Sequence, residues 1–136
     1  MQLSTNLVFN GQCKTAFKFY EQCLGGNIQT MMTWGDSPMA DNVPAEWHEK
    51  IIHTTLVVRD SALLGSDAPP DRYEKPQGFS VTIQIKETAE GERLFRELSE
   101  GGTVHMPFQP TFWSPGFGMC VDRFGIPWMI NSGQAT

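Results

Sequence analysis

Histidine and carboxylate side chains are the first candidates for chemistry in this chain. His53 stands near the head of the apolar run KIIHTTLVV, and Asp67 ends the next run, SALLGSD. If the two runs pair as a hairpin, the two side chains come close together, and a carboxylate can then orient the imidazole as a general base or as a donor. One interpretation is therefore a catalytic pair of His53 and Asp67. The alternative is a half-buried structural histidine, with Asp67 capping the turn before Pro69.

The other histidines give weaker signals. His48 and His53 form HEKIIH, which differs from the zinc motif H-E-x-x-H because the second histidine comes one residue late. A helix does not place both rings on one face, and a strand points them to opposite faces. His105, in TVHMPF, is expected to face solvent from a strand.

Aromatic and thioether side chains form a second set. Several rings lie in PFQPTFWSPGFG, where proline and glycine interrupt any regular alternation. Because loops lie at the surface, rings in a loop favour a pocket lid or a subunit interface, and a satellite cluster beneath the loop is the alternative. The residues predicted to line a ligand-binding cleft are Trp34, Phe112, Trp113, Trp128 and Met129.

Composition restricts the partners. The net charge is -5, and the 10 Lys and Arg residues are scattered, which argues against nucleic acid or an anionic membrane as a main partner. No run approaches the ~18 apolar residues of a membrane span, and the start shows no signal peptide. The three cysteines form no C-x-x-C pair, so we expect reduced thiols in a cytoplasmic protein.

The elements around these residues repeat once along the chain. Each half reads as a strand, an amphipathic helix and three further strands, and Gly25-Gly26 and Gly101-Gly102 are typical helix stops. Asn10 and Thr88 are the predicted helix caps. The predicted buried stripes are Cys13, Ala16, Phe17, Tyr20 and Leu24 in the first helix, and Leu94, Phe95 and Leu98 in the second.

This repetition predicts an α+β protein of two βαβββ modules within a single domain, 1–136. Module one spans about 1–68 and module two about 76–132, with a proline-rich connector at 67–78. Each helix covers one face of its sheet, so the other face needs the second module or a second chain. The two sheets are therefore expected to enclose a cleft suited to a small molecule.

Three segments carry a resemblance to a known family: LVFNGQCKTAFKFYEQCLGG, HTTLVV with LLGSDAPP, and TFWSPGFGMCVDRFGIPWMIN. The chain resembles the PhnB-like branch of the vicinal oxygen chelate superfamily, which includes glyoxalase, bleomycin-resistance proteins and extradiol dioxygenases. Members of this branch often carry a 3-demethylubiquinone-9 3-methyltransferase label, although the sequence has no glycine-rich S-adenosylmethionine fingerprint. The resemblance implies a homodimer in which a second subunit completes the half-sites.

The resemblance also implies where a metal would be held. Enzymes of the superfamily bind a divalent ion through His or Gln and Glu side chains on the first and last strands of the modules. A similar D-P-D-G-N-x-x-E ending places that glutamate at residue 129, which is Met129 here. The first strands offer Thr5 or Asn6 and Ser80, and a thioether prefers soft ions. We therefore expect neither a metal nor another cofactor.

Three functions remain open at this point. The favoured hypothesis is a small-molecule-binding protein that, like bleomycin-resistance proteins, acts without turnover. The alternative is an enzyme that acts on a small oxygenated substrate through His53 and Asp67 or through a noncanonical divalent-metal site. A third hypothesis is a structural or partner-binding module whose aromatic loop makes the contact.

Overall fold

The computed structural model describes residues 1–133 and contains two four-stranded sheets, each with one helix. The first unit, Met1–Glu74, contains β1 (Thr5–Phe9), α1 (Cys13–Leu24), β2 (Asn27–Thr33), β3 (Ile51–Val58) and β4 (Ser61–Asp67), with short 3-10 turns at Ala40–Asn42 and Ala45–Trp47. The second unit begins at Lys75 and contains β5 (Val81–Ile85), α2 (Thr88–Ser99), β6 (Thr103–Gln109), β7 (Gly116–Val121) and β8 (Pro127–Ser132). The predicted α+β class with two βαβββ modules is confirmed.

Both sheets have the same topology. The strand orders are β1-β4-β3-β2 and β5-β8-β7-β6, so the first and last strands of each module are parallel neighbours and the other pairs are antiparallel. The turn between β3 and β4 brings Val58 opposite Ser61 and gives Arg59 a positive φ of 53°. Gly125, in the turn between β7 and β8, has a φ of 90°, which glycine adopts without strain.

The helices bury the predicted stripes. Four of the five predicted α1 positions are buried, and Cys23 takes the place of the partly exposed Leu24. In α2 the buried set includes all three predicted residues, Leu94, Phe95 and Leu98. Within residues 1–133, neither helix is long and apolar enough to cross a bilayer.

A glycine pair follows each helix. Gly25 is the left-handed C-cap of α1, with a φ of 75°, whereas α2 has an extended C-cap at Glu100 and the left-handed residue, Gly101, follows with a φ of 78°. The next glycines approach a strand so closely that an added Cβ would collide with a backbone carbonyl oxygen, that of Val57 for Gly26 and that of Val121 for Gly102. The predicted stops are therefore confirmed, and they identify β3 and β7 as equivalent strands.

The predicted helix caps are wrong. The N-cap positions are Gln12 and Glu87 rather than Asn10 and Thr88, and neither side chain forms a capping hydrogen bond. The backbone N–H of Cys13, in the first turn of α1, instead donates to the carboxylate of Asp67, which lies 54 residues further along the chain and is described below.

Candidate functional site

Asp67 is a buried structural residue. Its Oδ1 accepts hydrogen bonds from the backbone N–H groups of Gly11 and Cys13, and its Oδ2 accepts one from Ile51, each at 2.9 Å. Its carbonyl oxygen accepts a further bond from Trp34 Nε1 at 3.0 Å. The side chain is 1% exposed, so the carboxylate joins the end of β4 to the start of α1 and the start of β3.

His53 lies on the opposite face of the same sheet. Thr54 is opposite Gly65, and Gly65 packs against α1, so Thr54 and Asp67 share the helix face because side chains alternate along a strand. His53 therefore points away from α1; it is exposed, and its Nε2 lies 3.3 Å from Thr55 Oγ1. The predicted pair of His53 and Asp67 is wrong.

The other two histidines are not brought together with His53 in a site. His48 Nε2 lies 2.9 Å from the Ala40 carbonyl oxygen in the segment between β2 and β3. His105 is exposed on β6.

Two of the predicted cleft residues pack inside their modules instead. Trp34 is 8% exposed and packs in a small cluster with Val43 and Trp47. Trp128 is 1% exposed, and its Nε1 donates to Asp122 Oδ2 at 2.8 Å. The structure therefore places Trp34 in the packing of the first module and Trp128 on the α2 side of the second sheet rather than in an open cleft.

Asp122 organises the turn that precedes β8. Its Oδ1 accepts from the backbone N–H groups of Phe124 at 2.8 Å and Ile126 at 3.0 Å. The bond from the Trp128 indole to this aspartate was not predicted from the sequence.

The face of the second sheet that does not contact α2 is the strongest candidate site; we call it the module-two far face. Ile130 is opposite Gly118, where an added Cβ would lie 2.6 Å from the ring of Phe95 in α2, so Trp128, Ile130 and Ser132 are on the helix side. The alternate residues of β8 and their register partners therefore form the far face. They are Thr82, Gln84, Phe117, Met119, Val121, Pro127, Met129 and Asn131.

Aromatic rings extend from the far face into the neighbouring loop. The centroids of the Phe117 and Trp113 rings are 5.3 Å apart, and those of Trp113 and Phe112 are 4.7 Å apart, both in edge-to-face geometry. Phe112 is 97% exposed and Trp113 is 44% exposed. The loop is anchored at Ser114, whose Oγ lies 2.8 Å from the Gly116 carbonyl oxygen and 2.9 Å from that of Ser132.

Asn131 is the one far-face residue with an unmet hydrogen-bonding need. Its Oδ1 is buried and accepts no hydrogen bond from any residue that the structure describes. Asn131 lies beside Gln84 on β5 and Phe117 on β7, and neither satisfies that oxygen. Asn131 was not predicted from the sequence as a site residue, although its spacing from Met129 on an alternating strand places the two on one face.

The positions that the resemblance reserves for metal ligands hold no carboxylate or imidazole. Met129 lies beside Thr82 rather than beside Ser80, which precedes β5, and the corresponding neighbours in the first sheet are Leu64 and Asn6. Of these four side chains, only the Thr82 hydroxyl and the Asn6 amide carry an oxygen suited to a hard divalent cation. Over the described part of the chain, no three His, Cys, Asp or Glu side chains come together as a metal site.

The three cysteines are buried, and none forms a disulfide. Burial, with the Asp67 charge as a lesser cause, raises the pKa of the Cys13 thiol well above its usual range. Burial, followed by the charge of Asp122, raises the pKa of the Cys120 thiol to about 11. At neutral pH both groups therefore stay protonated and are poor nucleophiles.

Comparison with known proteins identifies the family. The model of the family described as 3-demethylubiquinone-9 3-methyltransferase matches residues 1–131. The chain belongs to this family. The Escherichia coli K12 protein YjdN is 34% identical over 139 residues, which cover 96% of this chain and 95% of YjdN.

Solved structures of similar chains share the fold. Protein PA1353 from Pseudomonas aeruginosa has 47% identity and a TM-score of 0.90, with 99% of each chain covered. A Bacillus cereus PhnB protein, described as a putative 3-demethylubiquinone-9 3-methyltransferase, has 20% identity and a TM-score of 0.81, with 97% of this chain and 99% of that chain covered. A glyoxalase/bleomycin resistance protein/dioxygenase domain from Frankia shows the same fold at 10% identity and a TM-score of 0.68, with 98% of each chain covered. The PhnB-like resemblance is confirmed.

Proposed function

We propose that this family member binds a small, partly apolar molecule on the module-two far face, without turnover and without a resident metal. The observation that carries the proposal is the buried, unpartnered amide oxygen of Asn131 beside aromatic and thioether side chains. Native proteins satisfy most buried polar groups with protein or ordered-water partners, so this oxygen is open to a donor from a bound molecule.

The chemistry of the far face suits such a ligand. Thioethers are flexible and polarisable, so Met119 and Met129 can adapt to an irregular apolar surface. Phe117 and Trp113 add rings whose edges and faces favour contact with another aromatic group. Binding sites for small molecules commonly combine this kind of apolar lining with a few placed polar atoms.

Binding without turnover is favoured over catalysis because the catalytic candidates do not assemble. His53 and Asp67 occupy opposite faces of their sheet, and the oxygens of Asp67 are engaged by three backbone N–H groups. No metal is invoked, because neither Thr82 nor Met129 supplies a carboxylate or an imidazole. The three cysteines form no disulfide, which fits a reducing compartment, and we extend the proposal to a cytoplasmic location.

The test is a thermal unfolding screen of wild type and two methionine variants against a panel of small apolar metabolites. A compound present at a hundred times its dissociation constant should stabilise wild type by about 2.7 kcal/mol. Met129→Gln should abolish this stabilisation because it places a polar amide on the far face. Met39→Gln is the matched control, since Met39 is 42% exposed in the segment between β2 and β3. Either an inert panel or an equal loss in both variants would count against the proposal.

A second candidate function is self-association through the aromatic loop at 110–115. The 97% exposure of Phe112 favours it, because a large ring gains from leaving water. Sedimentation of wild type should then give a dimer, and Phe112→Ser should shift the protein towards a monomer. Phe79→Ser, at a ring that is 41% exposed before β5, should leave the dimer intact. A monomeric wild type would rule this candidate out.

A further inference from the structure

We infer that Asn131 selects ligands that carry an uncharged N–H or O–H donor on an apolar ring. The inference rests on the proposed function, because it assigns the ligand class of the same far face.

The fold itself offers Asn131 no donor. β8 is an inner strand, bonded to β5 on one side and to β7 on the other, so the backbone N–H groups around Asn131 belong to the sheet ladder. The side chain of Phe117 has no donor, and Gln84 does not donate to the buried oxygen. A bound molecule that donates to Oδ1 restores the hydrogen bond lost when this oxygen left water.

The charge of the face defines the ligand further. All eight far-face side chains are uncharged, so a carboxylate or phosphate would find no cation there. A neutral donor brings no charge that must be buried without a partner. Phe117, directly opposite Asn131 and 5% exposed, places a ring beside the acceptor, so an aromatic body with a donor at its edge matches both groups.

The first module lacks this arrangement. The parallel strands of the two modules end in equivalent residue pairs, Phe9 with Asp67 and Ile85 with Ser132. One residue earlier on the last strand, Ser66 in module one is therefore equivalent to Asn131 in module two. A short hydroxyl group there rotates to act as donor or acceptor, so it imposes no fixed requirement on a ligand. Donor selection is therefore a property of module two alone.

The test compares two probes of nearly the same shape, indole and benzofuran, which differ in having an N–H group or an ether oxygen at one ring position. Each probe is titrated into the full chain while the methyl signals of Met119 and Met129 are followed by NMR. Indole should shift both signals and bind about tenfold more tightly than benzofuran, equivalent to 1.4 kcal/mol.

Two substitutions at Asn131 and one control complete the design. Asn131→Leu removes the acceptor, and Asn131→Ser introduces the residue that module one tolerates at the equivalent position, so a folding failure of the first variant does not end the test. Both should reduce the preference for indole to less than about twofold. Met39→Gln, in the exposed segment between β2 and β3 and outside the far face, should keep the tenfold preference.

The outcomes separate the two proposals. If neither probe shifts the methionine signals of wild type, the proposed function fails, and donor selection fails with it. If both probes bind wild type equally, the far face is a binding site and donor selection by Asn131 is overturned. If folded Asn131→Leu or Asn131→Ser retains the preference, another group reads the donor, and the inference is likewise overturned.

Discussion

The far faces of the two sheets have the same backbone and different chemistry. On the far face of the first sheet, the compared positions of β3 and β4 carry mainly polar side chains. The equivalent positions of β7 and β8 in the second sheet carry two thioethers, a phenyl ring and an amide. The equivalent pairs, module one first, are Thr55 and Met119, Leu64 and Met129, His53 and Phe117, and Ser66 and Asn131. Because these side chains do not pack under a helix, the fold leaves them free to differ, and the difference places the binding proposal in module two.

The two modules differ in the hydrogen bonds that join the last strand of each sheet to the start of its helix. Asp67 and Ser132 occupy equivalent strand ends. Asp67 accepts three backbone N–H groups, one of them from Cys13 at the start of α1. Ser132 Oγ lies 2.9 Å from the Gly116 carbonyl oxygen and 3.4 Å from Thr88 Oγ1 at the start of α2. Module one therefore uses charge-assisted bonds where module two uses weaker neutral ones.

The largest expected effect tests this difference in how the two helices are held. Asp67→Ala should lower the free energy of unfolding by about 3–5 kcal/mol, because three buried N–H groups lose their acceptor. Ser132→Ala should lower it by about 1–2 kcal/mol, since only neutral hydroxyl bonds are lost. Urea unfolding of the two variants measures the difference.

Asp60→Ala is the control for the aspartate substitution, because Asp60 is exposed in the turn between β3 and β4 and should change stability little. Equal losses in Asp67→Ala and Ser132→Ala would mean that the two modules are tied to their helices with the same strength.

An intermediate effect is expected at Gly65. An added Cβ would collide with the Phe17 ring and lie 3.2 Å from Cys13 Sγ, whereas the equivalent position in module two already holds the fully buried Ile130. Gly65→Ala should therefore destabilise the protein by about 1–3 kcal/mol through overpacking.

A double variant sharpens this prediction. In chemical denaturation, Gly65→Ala combined with Phe17→Leu should be less destabilised than the sum of the single variants, because the smaller side chain makes room for the methyl group. Strict additivity would show that Phe17 is not the obstacle.

The smallest expected effect concerns Asn131. Asn131→Leu removes a buried acceptor without a partner, so thermal unfolding should show unchanged stability or a gain of up to about 1 kcal/mol. A loss above about 2 kcal/mol would show that the amide supports the fold, and Asn131 would no longer stand apart from Ser66 as a residue kept for binding.

The sequence was sufficient for the features that depend on local patterns. The helix stripes, the glycine stops and the order of elements follow from spacing within a few residues, and the structure agrees with them. The acceptor for the start of α1 was not predictable in this way, because Asp67 is 54 residues from Cys13 and meets it only through the pairing of β1 with β4.

Two errors in the predicted site concern the alternation of side chains between the two faces of a strand. A hairpin of the two runs was expected, and the observed turn, in which Val58 meets Ser61, leaves Asp67 out of register with His53. Trp128 and Met129 were both assigned to the cleft, although neighbours on a strand point to opposite faces. The buried and unpartnered state of the Asn131 oxygen, in contrast, depends on side chains from three strands and required the structure.

The parallel pairing of β1 with β4 also sets an order of folding events. During synthesis, the first strand has no sheet partner in its own module until residues 63–67 have left the ribosome, and Asp67, which secures the first helix, is the last of them. The second module repeats the delay, with β5 waiting for β8. Each half must therefore close a long loop before its earliest strand is secured, which slows folding relative to a protein of local hairpins.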